Sequence, residues 1–346
     1  MSEPPLFAPD AVSQWLGRLR PPVAVTGGTG FVGSHLVDAL AAGGLRPRVL
    51  VRDPERPRWI AGRDVEWVAG SLEDAGALER LVAGARTVLH LAGVVRAGSA
   101  AAFDRANREG TERLVAAVRR AAAPDARVVY VSSQAALGPS PTVSGLGPEA
   151  VPRPVSAYGR SKLGGEAAVR HLAGGREWVI LRPPAIYGPR DTDVLAFFRM
   201  AARGLAAIPA GERWVTVAHV ADVVRAVLAA AAEGVAGRVL HLGEPRPYRL
   251  EALIRLLADA GGVRVRVVKV PALVVRAAGA GGSALARLGL ARVAMTADKA
   301  RELLARHWTL RTADSLEALD LGATTPFPEG AAATWDWYRR RGWIRS

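Results

Sequence analysis

The stretch PVAVTGGTGFVGSHLVDAL, residues 22–40, decides the reading of this chain. Val23 to Val25 form a short apolar strand. Gly27, Gly30 and Gly33 follow in G-x-x-G-x-x-G spacing, and a helical pattern comes next. Such a turn lets the backbone bend tightly, approach a pyrophosphate with no side chain in the way, and pack helix on strand. The helix N-terminus then offers free N–H groups and partial positive charge to the phosphates. A tight turn without a ligand is the plain alternative, and the strand and helix on either side weigh against it. Gly27, Thr29, Gly30, Phe31 and Gly33 are the cofactor-binding candidates here.

Strands and helices keep alternating beyond this turn. PRVLVR (47–52), VEWVAG (65–70), TVLHLAG (87–93), RVVYVSS (127–133) and EWVILRPP (177–184) read as strands, and helical patterns lie between them. The strands are continuous apolar runs, as strands covered on both faces should be. The predicted fold is therefore α/β, a Rossmann doubly wound parallel sheet with a smaller, discontinuous C-terminal substrate lobe. The expected boundaries are an N-terminal helical extension over 1–21, a dinucleotide-binding domain over 22–180 and a mainly substrate-binding lobe over 181–346, with 238–243 returning to the main sheet. In the extension, Val12, Trp15, Leu16 and Leu19 share a helical stripe that should pack on the domain after it.

Composition narrows the function. The chain has 346 residues, 46 Lys and Arg against 32 Asp and Glu, and a net charge of +14. Only three of the basic residues are lysines, a skew of the kind a GC-rich genome imposes, so the charge is discounted. The arginines are scattered rather than gathered on one face with aromatic partners, which argues against nucleic acid. The absence of cysteine excludes disulfides, thiolate metal sites and cysteine nucleophiles. The six histidines have no ligand spacing, so no metal site is expected. MSEPPLFAPD lacks the charged and apolar regions of a signal peptide, and no apolar run reaches membrane-spanning length. The expectation is a soluble cytoplasmic protein with a small-molecule substrate; a homodimer is left open. Residues 271–295 are apolar but broken by Gly and Arg. The preferred reading is a pocket-covering helical segment with solvated arginines. The alternative is a basic amphipathic patch making weak peripheral contact with a membrane.

Two further places carry chemistry. At the end of the second strand, where an acidic residue would bind the ribose 2′-hydroxyl of NAD, stands Arg52, followed by Asp53. Arginine suits a 2′-phosphate, so NADP(H) is favoured; Asp53 keeps NAD(H) open. Further on, VSAYGRSKLGGE (155–166) sets Tyr158 four residues before Lys162, on one helical face. An ammonium beside a phenol should draw its pKa down towards the range of a general acid/base.

TGGTGFVG (26–33), HLAG (90–93), NREGT (107–111), VSSQAALG (131–138), YGRSK (158–162), RPPAIYGP (182–189) and VAHVADVV (217–224) occur in this order. Together they resemble the extended short-chain dehydrogenases/reductases, in particular the NAD-dependent epimerase/dehydratase and 3β-hydroxysteroid-dehydrogenase-like branch. The resemblance implies that Tyr158 is the catalytic acid/base and that Lys162 lowers its pKa and holds the nicotinamide ribose. It implies that Ser133, in preference to Ser132, donates to the substrate oxygen, and that Asn107 completes the catalytic set by bracing it. Leu91, Ala92 and Gly93, after His90, would form the cofactor-side loop, and Pro183 would shape the backbone beside the nicotinamide. Asp222 would tie the lobes together.

Departures from the family pattern are informative. Ser71, followed by Leu72, stands where an Asp usually meets the adenine. Ser133-Gln134-Ala135 replaces the Thr-Asp-Glu series of 4,6-dehydratases, which disfavours loss of water. The arginine that grips a sugar-nucleotide pyrophosphate is replaced by Val215, with Arg213 two residues early, in reach only if the loop shifts. Val94, Ala135, Phe197 and Trp214 are the substrate-side candidates, in an apolar pocket. The first functional reading is an NADP(H)-preferring oxidoreductase interconverting a carbonyl and a secondary alcohol on an apolar, ketone or sterol-like molecule. A nucleotide-sugar epimerase with tightly bound NAD(P) is second, and a non-catalytic dinucleotide sensor third.

Overall fold

Each strand of the central sheet sends alternate side chains into two separate cores. Strands β1 (Val23–Thr26), β2 (Arg48–Val51), β3 (Glu66–Ala69), β4 (Thr87–His90), β5 (Arg127–Val131) and β6 (Glu177–Arg182) are all parallel. Arg238–His241 runs parallel to β6 and completes seven strands, in the order Arg238–His241, β6, β5, β4, β1, β2, β3. Val25, Val49, Leu89 and Val129 face one core; their neighbours Ala24, Leu50, Val88 and Val128 face the other. That is why the strands read as unbroken apolar runs. Burying each such Val or Leu contributes about 1.5–3 kcal/mol.

The computed structural model describes residues 6, 10–172, 176–232, 234–287 and 295–344. Its first helices are α1 (Asp10–Leu16), α2 (Phe31–Ala42), α3 (Ala75–Val82), α4 (Ala100–Phe103), α5 (Gly110–Ala121), α6 (Gln134–Leu137) and α7 (Ala157–Arg170). Helix α2 and the helix Val220–Ala231 cover one face of the sheet, and α3 and α5 the other. Val12, Trp15, Leu16 and Leu19 are buried in the first of these cores, with the Arg225 guanidinium 5.8 Å over the Trp15 ring. The extension thus packs on the domain that follows it.

The remaining chain forms a second layer over the C-terminal ends of the strands. Its core gathers the helices Leu195–Ala202, Leu250–Ala260 and Phe327–Arg340 around Phe198, Trp335 and Tyr338. A buried ion pair, Arg190 to Asp38 of α2 at 2.8 Å, fastens this layer to the sheet domain. Asp222 accepts from the Thr325 N–H at 2.8 Å. The strand order turns back between β1 and β4, and it is at such a switch point that a crevice for a ligand opens.

Candidate active site

The crevice between β1 and β4 is built so that no side chain fits on its floor. Gly27 adopts φ 76°, and a Cβ there would lie 2.6 Å from the Ala92 nitrogen. A Cβ on Gly33 would come within 2.1 Å of the Gly27 carbonyl oxygen. Gly30 caps α2 without any side-chain hydrogen bond, so N–H groups of the first turn remain for an anion. This floor, bare of Cβ atoms and backed by a helix N-terminus, fits a dinucleotide pyrophosphate. Leu91 and Ala92 form the opposite wall, against Gly27. Phe31 packs edge-on to His35, 6.1 Å between centroids.

At the ribose end Arg52 is exposed and has no ion pair or hydrogen bond among the described residues. Asp53 is occupied: it accepts from the Glu55 N–H at 3.1 Å and pairs with Arg56 at 3.6 Å. Ser71 spends its hydroxyl oxygen on the Glu73 N–H at 3.1 Å, and Leu72 packs on the neighbouring core.

The Tyr158 end is assembled from β5, α6 and α7. Ser133 caps α6, accepting from the Ala135 N–H at 3.1 Å, and its hydroxyl lies beside the Tyr158 phenol. Helix α7 crosses α6 so closely that a Cβ on Gly159 would meet the Ala135 carbonyl at 2.2 Å, which brings Tyr158 to Ser133. Ser156 caps α7 through the Gly159 N–H at 3.1 Å, and the Asp298 carboxylate accepts from the Ala157 N–H at 2.7 Å. The Phe103 ring lies 5.9 Å from that of Tyr158.

The Lys162 ammonium is held on β5 rather than on the Tyr158 oxygen. Its ammonium donates to the Val131 carbonyl at 2.8 Å and sits 4.2 Å over the Tyr130 ring. Burial pulls its pKa down to about 7, with Glu166 opposing. Burial instead pushes the Tyr158 phenol up to about 12, with the Ser133 hydroxyl opposing. The expected lowering is thus corrected: desolvation outweighs a cation that a carbonyl holds elsewhere.

Asn107 is a brace. It lies on a π-helical turn, Asp104–Glu109; its side-chain oxygen accepts from the Val94 N–H at 2.8 Å. Its amide donates to the Val94 carbonyl at 3.0 Å and to the Ser161 hydroxyl at 2.9 Å. With every polar atom spent, it positions the Gly93–Val94 loop rather than touching a reacting atom. His90 is a satisfied core histidine between Thr26 (2.6 Å) and Thr111 (2.9 Å). Thr111 gives its proton to the Asn107 carbonyl at 2.6 Å, so towards His90 it accepts; the imidazole therefore carries its proton on Nε2.

The two serines divide. Ser132 donates to Glu166 at 2.6 Å, and Glu166 holds Arg182 through two bonds of 2.8 and 2.6 Å. Ser132 is therefore committed to the core and Ser133 is the one beside Tyr158. Glu166 continues the stripe Tyr158–Lys162 by another four residues, a signal the sequence carried and the spacing argument stopped short of using. Phe103 and Asp298 come from distant segments and had no signal.

On the substrate side Val94 is exposed, Ala135 is buried beneath α7, and the Pro183 carbonyl accepts from the Gln134 N–H at 2.8 Å. Phe197 packs into the second layer's core; Phe198 is fully buried there, 5.4 Å from Trp335 and 5.0 Å from Tyr338. Of the two rings Phe198 faces inward, while Phe197 stays half-buried at the edge of that core. Trp214 lines a cavity of about 570 Å³ with Ala272, Arg276, Leu304, Arg306 and His307. Arg213 is buried and donates to the carbonyls of Pro209 (3.1 Å), Ala210, Gly211 (3.0 Å) and Leu303 (3.0 Å). These bonds tie its Nε and Nη1 to the loop carbonyls.

A family model described as "NAD dependent epimerase/dehydratase family" matches residues 23–243. The chain is 39% identical over 329 residues to a ceramide reductase of Caulobacter vibrioides, covering 93% of this chain and 96% of that protein. It is 33% identical over 269 residues to a 4-hydroxy-2-methyl-3-oxo-4-farnesyl-3,4-dihydroquinoline-1-oxide ketoreductase of Stigmatella aurantiaca, covering 76% of this chain and 80% of that one. A dTDP-glucose 4,6-dehydratase of Streptomyces venezuelae, solved as a double mutant with NAD bound, superposes with a TM-score of 0.74 at 25% identity over 93% of this chain and 98% of its own.

Proposed function

The chain belongs to the NAD-dependent epimerase/dehydratase family, among the extended short-chain dehydrogenases/reductases, and from that premise we propose that it is an NADP(H)-preferring carbonyl reductase acting on a lipid-like ketone. The observation that carries this reading is the close crossing of α7 over α6, which sets Ser133 and Tyr158 side by side as two hydroxyls for one substrate oxygen. Arg213, locked on four carbonyls, removes the clamp a sugar nucleotide needs. Both reductases reported above bear names with lipid or farnesyl substrates, which favours a ketone on a long-chain amphiphile of the ceramide class.

When bound, the dinucleotide supplies the hydride to the carbonyl carbon. Ser133 donates a hydrogen bond to the carbonyl oxygen as negative charge develops there. Tyr158, which holds its proton up to about pH 12, transfers it to that oxygen, and solvent restores it. Lys162 keeps a positive charge near β5 and favours the transient phenolate. One C=O bond becomes a CH–OH: hydride at carbon, proton at oxygen.

NADPH mixed with an N-acylated long-chain amino ketone should be consumed one for one. UDP- or dTDP-hexoses should leave NADPH unchanged. A sugar epimerised without net NADPH loss overturns the reductase reading in favour of an epimerase.

Cofactor preference is tested separately. Among the described residues Arg52 has no ion pair, and Asp53 is engaged with its own loop, an arrangement that favours a 2′-phosphate. NADPH should bind roughly 10- to 30-fold tighter than NADH, an arginine–phosphate hydrogen bond at an exposed site. Arg52→Ala should erase that preference and leave NADH affinity unchanged, read by titration. Equal or tighter binding of NADH by the unaltered protein makes this an NAD enzyme.

A further inference from the structure

The helix Ala272–Arg287 reads ALVVRAAGAGGSALAR. Val275, Gly279 and Gly282 point inward. A Cβ on Gly279 would meet the Ala300 Cβ at 2.6 Å, and Ser283 accepts from the Ala297 N–H at 2.8 Å, so this face is closed against the helix Ala297–Leu304. The opposite face is apolar and bare. Leu273 is 77% exposed, Val274 53% and Leu285 45%, with Ala277, Ala280 and Ala284 between them. A surface helix ordinarily turns polar residues to water, and here Arg276 is the one charge before Arg287.

The chain just before this helix repeats the pattern. The strand Arg266–Val270 pairs with Leu205–Pro209, and Val268 and Leu205 both face outward. Arg203, Arg264, Arg266 and Arg276 are exposed, and none has an ion pair among the described residues. Exposed leucine and valine side chains thus share this stretch of chain with arginines that have no ion pair among the described residues. We propose that this face docks on the surface of an anionic lipid bilayer, the apolar residues entering the headgroup boundary and the arginines meeting lipid phosphates. Charge complementarity selects this occupant. A second copy seated symmetrically would set these arginines against their own counterparts. No helix among the described residues is long and apolar enough to cross a membrane, so the contact is peripheral. Ala272 and Arg276 of the same helix also rim the cavity beside Trp214, which docking would bring to the lipid surface.

The docking goes beyond the reductase reading and does not depend on it, because it is measured without turnover. The full chain is sedimented with phosphatidylcholine vesicles, and with vesicles that also contain phosphatidylglycerol. Binding to the mixed vesicles alone, weakened by salt, is expected. Leu273→Ser/Val274→Ser should bind them at least roughly tenfold more weakly, since even a partial burial of these two apolar side chains exceeds about 1.4 kcal/mol. Arg264→Glu/Arg266→Glu should weaken binding comparably. Both sets lie on the surface, and unchanged thermal melting confirms intact folding. A chain that stays in the supernatant with mixed vesicles, or variants that bind like the parent, overturns the proposal. So does a dimer that forms without lipid and dissociates in Leu273→Ser/Val274→Ser, since the second copy then covers this face.

Discussion

Tyr158→Phe should lower turnover of the ketone by about 10²- to 10⁴-fold, the usual contribution of a positioned general acid, while NADPH affinity barely changes. The substitution removes one oxygen. The ring keeps its place 5.9 Å from Phe103, and α7 keeps its caps at Ser156 and Asp298. Among the described residues at most the interaction with Ser133 is lost, so stability should fall by no more than about 1.5 kcal/mol, the net worth of one neutral hydrogen bond. Steady-state kinetics and a cofactor titration read the two effects apart. Near-parental turnover in the variant would falsify the assignment of Tyr158 as the acid. The pH dependence supplies a second readout. Tyr158 retains its proton to about 12, so its own ionisation sets no limit near neutrality. Lys162, lowered to about 7, loses its charge as pH rises through neutrality, and reduction should weaken over that interval.

What could be read in advance divides by range of interaction. The sheet was legible because its requirements are local. A doubly covered strand needs apolar residues on both of its faces, and Ala24 and Val25 or Val88 and Leu89 supply them in adjacent positions. The glycine turn was legible because Gly27 and Gly33 must approach each other within a few residues of chain. The pairing of Ser133 with Tyr158 required the fold, yet each residue came with its own motif. Other readings failed where a distant segment decided. Phe197 looked like pocket lining, but its neighbour Phe198 packs on Trp335 and Tyr338 from the far end of the chain and draws that helix against the second core. Arg213 needed a loop shift to reach a pyrophosphate, and the carbonyls around it hold its Nε and Nη1 in place. Lys162 looked like a partner for Tyr158 because helical spacing reports a shared face. It does not report the Val131 carbonyl that waits on the adjoining strand.

The buried group behind this site should matter most for stability. Glu166 is fully buried and, among the described residues, is the carboxylate paired with Arg182, which is 1% exposed; it also accepts from Ser132. Glu166→Ala removes the carboxylate and leaves the guanidinium in the core without its charge partner. Breaking a buried pair from one side costs about 3–5 kcal/mol, several times the worth of an exposed ion pair. A substantial fraction of a typical domain's stability is then lost, and the urea midpoint should fall accordingly. Glu166→Gln keeps the shape and one acceptor oxygen, and should fall between the parent and the alanine variant. The damage should also reach the chemistry. Ser132 precedes Ser133 on the end of β5, and Glu166 opposes the burial that lowers Lys162. In Glu166→Gln, Lys162 should therefore lose its proton at lower pH than in the parent, and the alkaline decline in activity should move in the same direction. An alanine variant as stable as the parent would mean that Arg182 finds another anion, and an unmoved pH profile would mean that Lys162 does not sense Glu166.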